Sequence, residues 1–327
     1  MRRYRHIQAM TVALVVSGCD GVVGADPEDV GDEPTQLRAL HDNGVELNGT
    51  RFNGTRFNGT WFNGVKLIMA KLLTGAATQS LTGWSLVPGS SELQAWGGGG
   101  KLYRGDQLVG ARLHWLVEDG KQQLEVQLRI AGVTQSWDRP DIYFTEIDVR
   151  IGSGAWESLC TDGEGDPTAA IVVPGYYDEA TADWLPGTGG ELALACRGTA
   201  AGKCLEWGYR MWAKHDGISL ADHYRACTRM VRADYCGNNV PHTENGTAID
   251  VSDGLSPAIL APETDWAIEA KWGPHGAVCL NQPRKLAHTR DKVIAECAAA
   301  GRGKLPSCDS DDPGEHGGLL MSQASPN

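Results

Sequence analysis

Three groupings of residues along this 327-residue chain have the types and spacing for chemistry. The first is Val16-Ser17-Gly18-Cys19, which closes a short apolar run behind Arg2, Arg3 and Arg5. Serine, glycine and cysteine in those places read as a bacterial lipobox, which predicts that the leader is cut before Cys19 and that the thiol then carries lipid. The second is Cys236 with His242, a thiol and an imidazole close enough in sequence for a nucleophile and its base. The third is Asp234, Asp250 and Asp253, again with His242, the carboxylate set that a hydrolase or a divalent-metal site would use. Asp162-Gly-Glu164-Gly-Asp166 has the alternating acids of the first half of a calcium loop. It lacks the later glycine and distal glutamate, because Pro167 and Val173 stand there, and it reads as an acidic surface turn.

Cysteine count bears on all three. Once Cys19 is assigned to lipid, eight of the nine cysteines remain: Cys160, Cys196, Cys204, Cys227, Cys236, Cys279, Cys297 and Cys308. An even set in an exported chain predicts four disulfides, which argues against a free Cys236 thiolate. Eight cysteines allow 105 pairings, and spacing does not choose among them. No C-x-x-C pair or histidine cluster supports zinc, and no cofactor signature is present. Residues three apart on a strand face opposite sides, so Asp250 and Asp253 reach one site only where the strand ends or bulges.

The elements that must position these residues fall in order. Residues 1–18 read as the leader, too short in its apolar part to span a membrane. Residues 19–42 read as an acidic tether. From 43 to 67, Asn-Gly recurs every five residues with Leu47, Phe52, Phe57 and Phe62 before it. This resembles a pentapeptide repeat, in which such residues point into a four-sided β-coil. Five copies make barely more than one coil, so the segment is expected to dock against the neighbouring β domain rather than fold alone.

Residues 76–195 read as an antiparallel β domain. Ala111, Leu113, Trp115 and Val117 alternate, Asp119-Gly120 turns, and Leu124, Val126, Leu128 and Ile130 return. Further strands are expected at Tyr143–Ile151 and Leu192–Cys196.

Residues 196–300 read as a cysteine-rich α+β region. A helix over 219–232 places Leu220, Tyr224, Cys227 and Val231 on one stripe and Arg225, Arg229 and Arg232 on another. The arginines read as a solvated face, with a pairing of one of them to a buried Asp234 as the sharper alternative. A second helix is expected over 286–300, with Val293 and Cys297 inward and Gly301 as its stop. Residues 301–327, with acids from Asp309 to Glu315, read as a disordered tail. The fold class is therefore β-rich α+β, an antiparallel sandwich or open barrel followed by a disulfide-stapled α+β region.

Net charge is −12, and no basic stripe suits nucleic acid. The expected partners are the membrane, through lipid on Cys19, and an envelope protein or glycan. Whether the inner or outer membrane holds the anchor is left open. Ten tryptophans after the repeat invite a carbohydrate-binding reading, although Trp115, in phase with Leu113 and Val117, points most of them to the core.

Cys227-Thr-Arg-Met-Val-Arg-Ala-Asp-Tyr-Cys236-Gly237, followed by Thr243, Gly246-Thr247 and Ile249-Asp250, resembles the ADYC domain. The tetrad is Ala233-Asp234-Tyr235-Cys236. Upstream, Lys203-Cys204-Leu-Glu-Trp207-Gly208-Tyr209-Arg-Met-Trp212 extends the likeness, with Met211 where the family has proline. The resemblance covers roughly 95–253 and implies an exported bacterial protein, often a lipoprotein, with no activity to carry over. The tetrad is expected to end a helix and enter a turn. Were Cys227 and Cys236 paired, they would close a loop of about ten residues worth roughly 2.5–3 kcal/mol. The functional expectation is a non-catalytic binding or structural role in the envelope. The alternatives are a secreted hydrolase using Asp234, His242 and Asp250, and a carbohydrate-binding module using exposed tryptophans.

Overall fold

The computed structural model describes residues 40–43, 66–74 and 77–324, apart from 120–121, 163–164, 179–180, 188–190, 245 and 286. The leader, Cys19, the acidic tether as far as residue 39 and most of the pentapeptide series lie outside the described residues; the end of the tether, Leu40–Asn43, is a strand.

Alternation of apolar and polar residues builds a ten-stranded antiparallel sheet. Its strands are β2 (Lys66–Thr74), β3 (Ala77–Leu86), β4 (Leu93–Gly97), β5 (Leu102–Arg104), β6 (Ala111–Asp119), β7 (Gln122–Gln135), β8 (Tyr143–Ile151), β9 (Glu157–Ser158), β10 (Ala170–Pro174) and β11 (Leu192–Cys196). The order is β11-β10-β8-β7-β6-β2-β3-β4-β5, with β9 paired to β8. The sheet is open. The expected hairpin is β6–β7, in register from Asp119 opposite Gln122 to Arg112 opposite Arg129.

A second antiparallel sheet has the order β1-β12-β15-β13-β14. It contains β1 (Leu40–Asn43), β12 (Thr247–Asp253), β13 (Ala267–Gly273), β14 (Gly276–Leu280) and β15 (Leu320–Ala324). Between the sheets in sequence lie α1 (Ala200–Glu206) and α2 (Ala221–Arg232), and α3 (Arg290–Ala299) comes after β14.

Two cores result, and the β10–β11 hairpin lines both. Ala170, Val172, Leu192, Leu194 and Cys196 face the core of the large sheet, with Leu113, Leu128, Ile130 and Ile147. Ile171, Val173, Ala193 and Ala195 face the helices and the second sheet, with Tyr224, Val231, Trp272 and Leu320. Burial on both faces explains why these strands read as nearly unbroken apolar runs. The division expected between residues 195 and 196 thus falls inside a strand that joins the two cores.

Four disulfides join elements rather than neighbours: Cys160–Cys196, Cys204–Cys227, Cys236–Cys297 and Cys279–Cys308. The local Cys227–Cys236 pairing considered from sequence does not occur. Cys227 lies inside α2, facing α1, while Cys236 lies beyond the helix end and faces α3.

The C-terminal segment also departs from expectation. Residues 301–324 are built into the fold: Cys308 is tied to β14 and β15 sits between β12 and β13. The acidic run folds around a buried amine. Glu315 pairs with fully buried Lys271 and accepts N–H groups from Asp309 and Ser310. These contacts hold its carboxyl well below the ordinary range, at about 2.

Chain-entropy arguments rank the staples by the loop each one closes. Cys236–Cys297 spans 61 residues and Cys204–Cys227 spans 23, corresponding to about 4 and about 3.5 kcal/mol. Paired alanine substitutions should therefore destabilise more at 236/297 than at 204/227, which urea unfolding midpoints would show.

Candidate functional site

α2 carries the motif to its place. Leu220, Tyr224, Cys227 and Val231 are buried on one stripe, as the 3.6-residue period requires. The helix stops where Ala233 takes the left-handed conformation (φ 50°, ψ 40°), and its N–H bonds back to Met230 O. Asp234 is then turned inward with no exposed surface.

A buried carboxylate needs partners for its charge and its lone pairs. Arg229 Nη1 donates to Asp234 Oδ2 at 2.6 Å, and Arg232 Nη1 lies 3.8 Å from the same oxygen. The backbone N–H groups of Asn238 and Asn239 donate to the two oxygens at 3.1 and 3.0 Å. The arginine stripe is thus not a solvated face. Arg229 and Arg232 are 2% and 5% exposed, and Arg225 is bound to Asp183 through both Nε and Nη2. Gly237 completes the turn at φ 65°, where a Cβ would stand 2.0 Å from His275 O.

Tyr235 points the other way, into the second sheet. Its ring stacks on Trp272 at 5.2 Å between centroids. Its hydroxyl donates to Glu269 Oε1 at 2.6 Å and accepts the Arg284 N–H at 2.9 Å. Burial, reinforced by the Glu269 charge, raises the Tyr235 pKa well above its usual value and keeps the hydroxyl protonated. Glu269 also accepts from Ser322 Oγ and from Nε and Nη2 of Arg284. Arg284 in turn donates to the carbonyls of Met230 and Val231 at the end of α2. Sequence reasoning missed Glu269 and Arg284. The one signal was an acid in the apolar strand 267–273, where a register shift between Ile268 and Ala270 breaks the alternation.

The other candidates are held elsewhere. Cys236 is in a disulfide, so it is not a nucleophile. His242 is 1% exposed; its Nδ1 lies 2.8 Å from His288 Nδ1 and its Nε2 lies 3.3 Å from Glu296 Oε2. Asp250 accepts the Glu263 and Thr264 N–H groups and the Thr264 hydroxyl. Asp253, the last residue of β12, accepts from Tyr209 Oη and from the N–H groups of Leu255, Ile259 and Leu260. Among the described residues no hydrogen bond or ion pair joins Asp234, His242 and Asp250.

Asp162 and Asp166 close a turn on each other, Asp166 N donating to Asp162 Oδ1. Among the tryptophans, Trp272, Trp84, Trp184 and Trp207 are buried, while Trp137, in the β7–β8 turn, is 80% exposed. Among the described residues no three His, Cys, Asp or Glu side chains are placed to hold a metal ion, and no helix is long and apolar enough to cross a membrane.

The match to a known family covers the same corner. The ADYC domain aligns with residues 105–286, more than half of the chain. The chain belongs to the ADYC domain family. The aligned region begins before β6 and ends just past Arg284, so it takes in Glu269 and Arg284, both partners of the Tyr235 hydroxyl. Comparison with curated proteins and with solved structures gives no match.

Two outcomes are expected of this corner. Asp234→Asn keeps the shape but takes from buried Arg229 its nearer counter-charge, leaving only Asp183 at 3.8 Å, and should cost about 3 kcal/mol in urea unfolding. Adding Arg229→Met should recover part of that loss in a double-mutant cycle. The second concerns pH. Burial lowers the pKa of His223, His242 and His288 below the ordinary 6.5. The unfolded chain then binds more protons below pH 6.5, so stability is complete above that pH and declines as pH falls through the folded-state values. The urea midpoint should drop between pH 7.5 and pH 5, and His242→Gln should shrink the drop.

Proposed function

We propose that this ADYC domain protein is an exported envelope protein, held to a membrane through lipid on Cys19, whose folded part has a binding or structural role rather than a catalytic one. One observation carries the reading: the reactive side chains that the motif region offers are already bonded within the fold. Cys236 is oxidised, and Asp234, Asp250 and Asp253 each hold backbone amides of a loop. A general base or nucleophile needs an open site where a substrate atom comes within hydrogen-bond reach. Four disulfides in one domain support export to an oxidising compartment, and the lipobox supports the anchor.

The test is the intact mass of the protein purified from the membranes of its host, alkylated with and without prior reduction. The proposal expects a lipid adduct on Cys19, no alkylation before reduction, and alkylation of the remaining cysteines after it. An unmodified Cys19 would remove the anchor. A thiol labelled without reduction would reopen cysteine chemistry.

A further inference from the structure

Leu113, Leu128 and Ile147 line the buried face of the large sheet, so alternation sends their neighbours to the other face. There three arginines meet one ring. Arg112 on β6, Arg129 on β7 and Arg150 on β8 place their guanidinium carbons 5.7, 4.8 and 4.7 Å from the centre of the Trp156 ring. Trp156 stands just before β9 and is half-buried. Scattered in sequence, the arginines form no stripe there; strand pairing gathers them. Arg112 lies directly opposite Arg129, and Arg129 directly opposite Asp148. Like charges placed opposite each other across strands destabilise a sheet.

Counter-charge falls short of what these cations need. Arg129 donates Nε and Nη2 to Asp148 Oδ2. Arg150 donates Nη2 to the neutral Gln127 amide, while nearby Glu125 is engaged by His114 and Gln127. Arg112 is bonded to no carboxylate, and the Trp156 ring is its partner. An aromatic face attracts a cation without cancelling its charge. The Nε atoms of Arg112 and Arg150 are sealed, but the terminal nitrogens are not. Both Nη of Arg112, and Nη1 of Arg129 and of Arg150, are open to solvent with no hydrogen bond made. Each arginine thus keeps a free donor around the same ring, in a chain whose net charge is −12.

We propose that this cluster binds a phosphate monoester. Its terminal oxygens accept from the free Nη groups of Arg112, Arg129 and Arg150. Its charge, about −2 at pH 7, meets the two guanidiniums that have no bonded carboxylate. Guanidinium forks suit a tetrahedral oxyanion, and charge-assisted hydrogen bonds of this kind are the stronger class. A carboxylate would bring one charge and two oxygens to three forks. Two sources carry the group: a soluble phosphate ester, and the headgroup of phosphatidic acid in a membrane. The inference names a ligand class for the binding role proposed above, and it rests on that role but not on the lipid anchor.

Isothermal titration calorimetry of the full, disulfide-bonded chain with glycerol phosphate tests the soluble source, with glycerol as the neutral comparison. Sedimentation with phosphatidylcholine vesicles, with and without phosphatidic acid, tests the lipid source. Saturable binding that depends on the phosphate is expected in at least one arm, weakened by added salt. The arm that binds identifies the source. Arg112→Gln/Arg150→Gln should bind roughly tenfold more weakly. Lys214→Gln/Lys304→Gln removes the same charge from exposed lysines and should bind as the unsubstituted chain does. Circular dichroism and resistance to alkylation before reduction would show that the variants are folded. Absence of phosphate-dependent binding in both arms would overturn the proposal, as would equal binding by the folded arginine variant. An equal loss in the lysine variant would also overturn it. Because the readout does not depend on Cys19, loss of the anchor and failure of the arginine cluster are separable results.

Discussion

The charge on Asp234 is the constraint around which the chain is arranged. It has no exposed surface, so everything that water would supply must come from the protein. Arg229 supplies the counter-charge from the last turn of α2, and the amides of Asn238 and Asn239 supply the remaining donors. Those donors exist only if the chain reverses directly after the helix. The reversal requires the left-handed turn at Ala233 and the absence of a side chain at Gly237, which lies against the backbone of His275. Four consecutive residues then diverge in a tight corner. Ala233 ends the helix, Asp234 gathers the loop after it, Tyr235 enters the second sheet, and Cys236 reaches α3. The tetrad is a junction of elements, and each of its side chains has a different neighbour.

Tyr235 passes the same requirement to a second buried set. Its hydroxyl, Glu269, Arg284 and Ser322 satisfy one another, and Arg284 reaches back to the terminal carbonyls of α2. An apolar core of the same volume is often as stable as a buried ion pair, because desolvation offsets much of the attraction. What the ionic set adds is direction: Glu269 and Arg284 are satisfied only when helix, sheet and loop meet in one arrangement. The disulfides act on the other side of the equilibrium. Each links segments 23 to 61 residues apart, restricting the unfolded chain more than it reshapes the folded one.

The residues show unequally how much of this could be read beforehand. The β6–β7 hairpin, β8 and the apolar stripe of α2 were legible, because alternation and helical period are local signals. Helix α1 was not. It has only seven residues, begins Ala-Ala-Gly, and depends on its Thr199 cap and on Cys204 facing α2. The arginines looked solvated because Asp183, the partner of Arg225, lies 42 residues away in sequence. The acids after Asp309 looked like a tail because nothing local reveals a buried Lys271 waiting for Glu315. Likewise β15, a strand of five residues, is held by neighbours on both sides that no local pattern announces. Disulfide pairing was closed to sequence for the same reason: parity gives the number of bonds, and topology gives their ends.

The three aspartates singled out for chemistry clarify where function is to be sought. Each accepts two or more backbone N–H groups: Asp234 from 238–239, Asp250 from 263–264, and Asp253 from 255 and 259–260. Asp250 and Asp253 leave β12 on opposite sides, as strand geometry demands, and together pin both ends of the loop from 254 to 266. Asp234 and Asp253 use both oxygens in this way, whereas Asp250 holds its loop through Oδ2 alone and its buried Oδ1 has no partner. The far end of the loop is tied to the sheet as well, because Gln323 Nε2 donates to Trp266 O. The buried acids therefore act as scaffold, each fixing the course of the loop that follows it rather than presenting a free carboxylate at the surface.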